Sequence, residues 1–166
     1  EINPAYLSSL KAAQVAGLGS AQVSNLTTEQ IAVLSTLQVR SLSMLQLLGL
    51  TTAQVVALNS EQFEAVTSAG IASLSAGQLR AIEVGDLAGL SSAQVRALTT
   101  LQVRSLSSNQ LDGLSTVQLL AFSTRQISVL TTSQVAEINP AYLPSLTAAQ
   151  VAGLGSAQLS NLTTEQ

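Results

Sequence analysis

All 17 glutamines of the chain fall on one phase of an eight-residue register, from Gln14, Gln22 and Gln30 to Gln166. A short period held this strictly constrains the fold more than any local signal. Each copy is a small unit that must bury its apolar face against its neighbours. The register's four other sites hold Tyr6, Gly70, Asp86 and Tyr142. The residue after each site is apolar throughout, from Leu7 and Val15 to Leu159. A second apolar column stands four residues after each site, at Leu10, Leu18, Leu26, Leu34 and onward. Counting Ile2, it is leucine at 16 of 21 positions, and Ser, Thr or Asn follows it at 17 of 21. The unit therefore reads Leu-(Ser/Thr)-x-x-Gln-(apolar)-x-x.

A longer period overlies the short one. Residues 1–30 match 137–166 except at Ser8/Pro144, Lys11/Thr147 and Val23/Leu159, an offset of seventeen units. The octad Thr36–Ser43 recurs letter for letter at Thr100–Ser107, eight units later. Growth by copying suits an array in which each unit needs only its neighbours. The echo at eight units hints at four or eight units per structural period. The expectation is a single repeat-array domain over 1–166, about twenty units long, cut from a longer array.

One continuous helix cannot carry this pattern, because apolar gaps of three and then five residues drift off any face at 3.6 residues per turn. A half-buried strand fits no better, since the two apolar columns have opposite parity and would point to opposite faces. A helix start every eight residues does fit. In Leu26-Thr27-Thr28-Glu29-Gln30-Ile31, Thr27 is an N-cap and Gln30, three residues on, completes a capping box. Leu26 and Ile31 flank the cap as a hydrophobic staple. Pro4 and Pro140 fall at the first helical position, where proline's missing N–H costs nothing. The residue before the staple leucine is Gly or Asn at Gly17, Asn25, Gly49, Gly89, Gly113, Gly153 and Asn161, which predicts a left-handed helix end there. Pro144 should cut its unit to a single turn.

The predicted fold is all-α, a solenoid of very short capped helices, with a β-solenoid as the alternative. Each helix runs about a turn and a half, too short to stand alone, so units must coil and stack. The two apolar columns should line one interior, including Ile31, Leu34, Val39, Leu42, Val55, Leu58, Val95, Leu98, Val103 and Leu106. Arg40, Arg80, Arg96 and Arg104, two residues after their register sites, should reach solvent. Apolar end units such as Ile2 and Leu7, or Leu159 and Leu162, predict end-to-end self-association or frayed termini.

Composition narrows the function. Charged residues make up 9% of the chain and the net charge is −3, which argues against a nucleic-acid or anionic-membrane partner. No apolar run approaches the length of a membrane span. Without His or Cys, the usual catalytic triads and zinc sites are absent. Only Asp86 and Asp112 are aspartates, so repeated calcium loops are excluded, and no glycine-rich phosphate loop occurs. The chain is expected not to be an enzyme, with no catalytic residue, cofactor or metal site. The glutamine column has two readings: caps and inter-coil hydrogen bonds, or a polar ladder lining a groove for a peptide or polysaccharide. The Thr-Thr pairs, such as Thr51-Thr52, are read as caps before an ice-binding face. Tyr6 and Tyr142 are read as marks of the long repeat, and Asp86 could still accept a cap hydrogen bond.

Runs such as Leu50-Thr51-Thr52-Ala53-Gln54-Val55 and Leu130-Thr131-Thr132-Ser133-Gln134-Val135 resemble the repeat regions of large exported bacterial proteins labelled adhesion or heme-utilisation related. The resemblance spans the whole chain. It implies a rigid spacer or scaffold in an adhesin-like protein at the bacterial surface or outside the cell. The heme label finds no support in the residues, since iron ligands reduce to Met44 and two tyrosines.

Overall fold

The structure is a computed structural model and describes residues 3–166. Nineteen α-helices and one 3-10 helix follow one another there, one per octad, and no strand occurs among the described residues. The first six are α1 (Pro4–Ser9), α2 (Ala12–Ala16), α3 (Ser20–Ser24), α4 (Thr28–Ala32), α5 (Thr36–Arg40) and α6 (Met44–Gly49). Then come α7 (Thr52–Val56), α8 (Ser60–Ala65), α9 (Ser68–Ser73), α10 (Ala76–Ala81), α11 (Val84–Ala88) and α12 (Ser92–Ala97). The remainder are α13 (Thr100–Ser105), α14 (Ser108–Asp112), α15 (Thr116–Ala121), α16 (Thr124–Ser128), α17 (Thr132–Ala136), the 3-10 helix Pro140–Ser145, α18 (Ala148–Ala152) and α19 (Ser156–Leu159). The helical solenoid is thus the fold, and the β alternative falls away.

Most helices start as the capping pattern requires, while Lys11, Gly19, Glu83 and Gly155 open theirs without a side-chain cap hydrogen bond. Thr27 Oγ1 accepts the Gln30 backbone N–H at 3.2 Å, while Gln30 Oε1 accepts the Thr27 N–H at 2.7 Å. The same reciprocal pair recurs at Ser35/Gln38, Thr51/Gln54 and Thr131/Gln134. In the pairs Thr27-Thr28, Thr51-Thr52 and Thr131-Thr132 the first threonine is therefore committed to the helix start.

The helix ends differ from expectation. No described residue has a positive φ, so neither the glycines nor the asparagines adopt the left-handed conformation. Gly17, Gly113 and Gly153 stay right-handed, and the chain leaves each helix through the following leucine. Leu18 N–H, for instance, bonds the Val15 carbonyl at 3.1 Å. Some of these glycines serve a close approach instead. A Cβ at Gly49 would sit 3.4 Å from the Ser20 backbone oxygen, and one at Gly153 would sit 3.0 Å from the Thr124 oxygen. Ser20 and Thr124 each open a helix three units earlier; a Cβ at Gly49 would make only an ordinary contact, whereas one at Gly153 would crowd the earlier turn.

Every helix packs on the one three units away: α3 on α6, α5 on α8, α9 on α12, α10 on α13. Between the turns the two apolar columns form one continuous core. All ten residues expected inside, from Ile31 to Leu106, are buried, and Arg40, Arg80, Arg96 and Arg104 are exposed. At the ends of the stack Leu10, Leu18 and Leu26, like Leu154 and Leu162, are only partly buried. Ile2 lies outside the described residues. Pro144 does not cut its unit to a single turn: a six-residue 3-10 helix, Pro140–Ser145, runs through the proline, whereas the near-copy Pro4–Ser9 with Ser8 is α-helical.

Candidate functional site

The glutamine column was the strongest functional candidate, and its geometry gives it a definite task. Gln38 Oε1 accepts the Ser35 N–H at 2.7 Å, while Nε2 donates to the carbonyls of Leu7 and Leu10 at 2.9 and 2.8 Å. Those carbonyls end α1, four units earlier. The pattern repeats down the stack. Gln54 Nε2 donates to Val23 and Leu26, Gln102 to Ile71 and Leu74, and Gln134 to Val103 and Leu106. A helix that ends every eight residues leaves carbonyls without intrahelical donors. Absent left-handed caps, the amide of a later unit supplies those donors. The two spare N–H groups of each carboxamide were the sequence signal for this, since the cap uses only its oxygen.

Units therefore touch at n±3 and bond at n−4, so one superhelical turn holds between three and four units. The hint of four or eight units per period gives way to this non-integer winding, which places no unit directly above another.

Burial decides between the two readings of the column. Gln38, Gln46, Gln54 and Gln102 are each 2% exposed, and all their amide donors and acceptors point at backbone. Nothing is left for a ligand, so the glutamines are struts of the fold and not a binding ladder. Only Gln14 and Gln22, in the first turn, are exposed, each holding its own cap N–H.

The departures from glutamine break the struts one at a time. Asp86 has no N–H to offer the carbonyls of Val55 and Leu58, and its Oδ1 instead accepts the Ser60 hydroxyl at 2.6 Å. It makes no cap hydrogen bond, and its helix opens at Glu83 without a side-chain cap. At Gly70 the missing side chain's space is filled by apolar neighbours, with Leu47 Cδ1 2.6 Å and Val66 Cγ1 2.8 Å from where a Cβ would stand. Tyr142 is half-buried in the 3-10 unit, and Tyr6 is 71% exposed.

Shallow grooves recur on the outer surface. One of about 300 Å³ is lined by Arg40, Glu64, Thr67, Ser91 and Gln94. Equivalent grooves lie eight units on, at Arg104, Thr131 and Gln158, and nine units on, at Asp112, Asn139 and Gln166. Their charged residues differ from copy to copy, so the repeat does not present one constant ligand set.

An ALTTAQ repeat family model matches residues 2–36 and 79–116. The chain is thus a tandem-repeat region by sequence comparison as well as by structure. No curated protein matches it, and no solved structure does.

Proposed function

We propose that this array is a stiff, non-enzymatic spacer within a large bacterial surface or secreted, adhesin-like protein. The observation that carries the reading is the strut: a buried glutamine in almost every unit ties its own helix start to the helix end four units earlier. Such ties resist both stretching along the stack and bending between turns. Among the described residues no helix is long and apolar enough to cross a membrane. The exported, adhesin-like setting rests on the resemblance of the Leu-Thr-Thr-Ala-Gln-Val runs. Repeats pack against repeats, and the same stacking surface would let chains meet end to end.

Small-angle scattering on arrays of increasing unit number tests the reading. A rod should lengthen by about 8–10 Å for each added turn, the usual spacing of packed helices. Dimensions growing only as the square root of unit number, as for a flexible linker, would overturn it.

A further inference from the structure

The struts fail twice in close succession at one level of the stack. Gln78 Nε2 donates to the carbonyls of Leu47 and Leu50 at 2.8 and 2.7 Å. By the same spacing Gly70, one octad earlier, falls in register with the carbonyls of Val39 and Leu42. Asp86, one octad later, falls in register with those of Val55 and Leu58. Glycine has no side chain to donate from, and a carboxylate has no N–H. Helices α9 and α11 also lack the reciprocal capping box that α8, α10 and α12 keep. Three consecutive octads nearly complete a turn, so this one boundary between turns retains a single strut, Gln78, among the described residues. Below it the struts hold from Gln38 to Gln62, and above it from Gln94 to Gln134. Tyr142 interrupts the ladder once, between Gln134 and Gln150, which both hold.

We propose that this boundary is a joint built into the array: the turn α9–α11 rocks on the turn α5–α7, with Gln78 as the pivot. The proposal rests on the strut as the source of stiffness elsewhere. Two octads carry the chain through between a half and two-thirds of a revolution. The gaps at Gly70 and Asp86 therefore fall on nearly opposite flanks of the rod, with the Gln78 strut between them. What fills each gap is less directional than a strut. At Gly70 it is the apolar side chains of Leu47 and Val66, and apolar contact has no preferred direction, so it survives a small slide. Asp86 keeps one bond, from the Ser60 hydroxyl at 2.6 Å, and that bond reaches the start of α8 and not the end of α7. Opening either flank thus breaks no strut, whereas the same motion at the boundaries above and below does. A hinge needs only a few positions that absorb the change, and here they are two side-chain substitutions in otherwise regular octads.

Distances between spin labels test this. The chain has no cysteine, so labels go only where cysteines are introduced. The pair L37C/L101C spans the joint. The pair A69C/S133C has the same separation and the same place within the octad, but lies wholly above it. All four positions are exposed. Dipolar electron resonance in frozen solution reads the spread of each distance. The spread for L37C/L101C should exceed that for A69C/S133C. Adding D86Q, which restores a strut, should narrow the first to the width of the second and leave the second unchanged. D86A, which offers no donor, should leave the first wide, and Q78L, which removes the pivot, should widen it further. Circular dichroism verifies that each variant is folded; should Q78L not fold, D86Q against D86A carries the test. Equal spreads for the two pairs overturn the joint: if both are narrow the stiff spacer stands, and if both are wide it falls as well. A spread that D86Q fails to narrow also overturns the joint.

Discussion

Gln102 is held to Ile71 across 31 residues: its Nε2 donates to the Ile71 carbonyl at 2.8 Å and to the Leu74 carbonyl at the same distance. Its Oε1 meanwhile accepts the Thr99 N–H at 2.8 Å. One side chain thus starts its own helix and finishes another a turn away. Replacing it by leucine keeps the volume and strips both tasks. Gln102→Leu should cost about 2–4 kcal/mol, the scale of leaving more than one buried backbone group unpaired. Chemical denaturation measures it.

Gln102→Glu should be worse at neutral pH than in acid. A buried carboxylate facing two carbonyl oxygens disfavours its charged form, which raises the folded-state pKa above the unfolded value near 4.3. The folded state then binds more protons than the unfolded one across that window. Stability should therefore fall as pH rises through it. Denaturation midpoints at pH 4 and pH 7, set against wild type at both, check the sign.

Asp86→Gln should restore a missing strut. The carbonyls of Val55 and Leu58 would gain amide donors, and the Glu83 N–H an acceptor, for a gain of about 1–2 kcal/mol. Slower amide exchange around Val55–Leu58 would locate the effect. Gly70→Ala should go the other way. Its Cβ meets Leu47 Cδ1 at 2.6 Å and Val66 Cγ1 at 2.8 Å, an overpacking cost of about 1–3 kcal/mol. That exceeds the helix-propensity gain of roughly 1 kcal/mol.

Pro144→Ser should convert Pro140–Ser145 from 3-10 to α-helix. The chain contains its own control, since Pro4–Ser9 has the same letters with Ser8 and is α-helical. The gain should be about 1–3 kcal/mol, from a recovered backbone donor and a removed ring clash. Carbon chemical shifts of Ala141–Leu143 report the change.

Leu98→Ala should cost about 2–5 kcal/mol, the range for a buried leucine. The loosening should remain local, because each unit leans only on the turns beside it. Amide exchange should therefore quicken within about a turn of α12 and little near α2 or α19.

What was legible in the sequence was local. The Thr27–Gln30 box and both apolar columns follow from forces acting within one octad. The winding was not legible. Three-unit packing depends on how closely turns approach, and the residues that meet there, such as Gly153 and Thr124, lie in different units. Gly153 was read as a left-handed helix end, and spacing cannot tell that role from a close approach between turns. The destination of the Gln38 amide donors was hidden for a related reason: three whole units, α2 to α4, intervene between it and Leu7.

Because a turn holds between three and four units, each octad advances the chain's heading by between a quarter and a third of a revolution. Gaining or losing one copy hardly alters the length, yet it swings everything beyond that point to a new compass bearing. Repeat number is therefore an angular setting as much as a measure of reach. Two arrays differing by a single octad would aim whatever they carry in different directions.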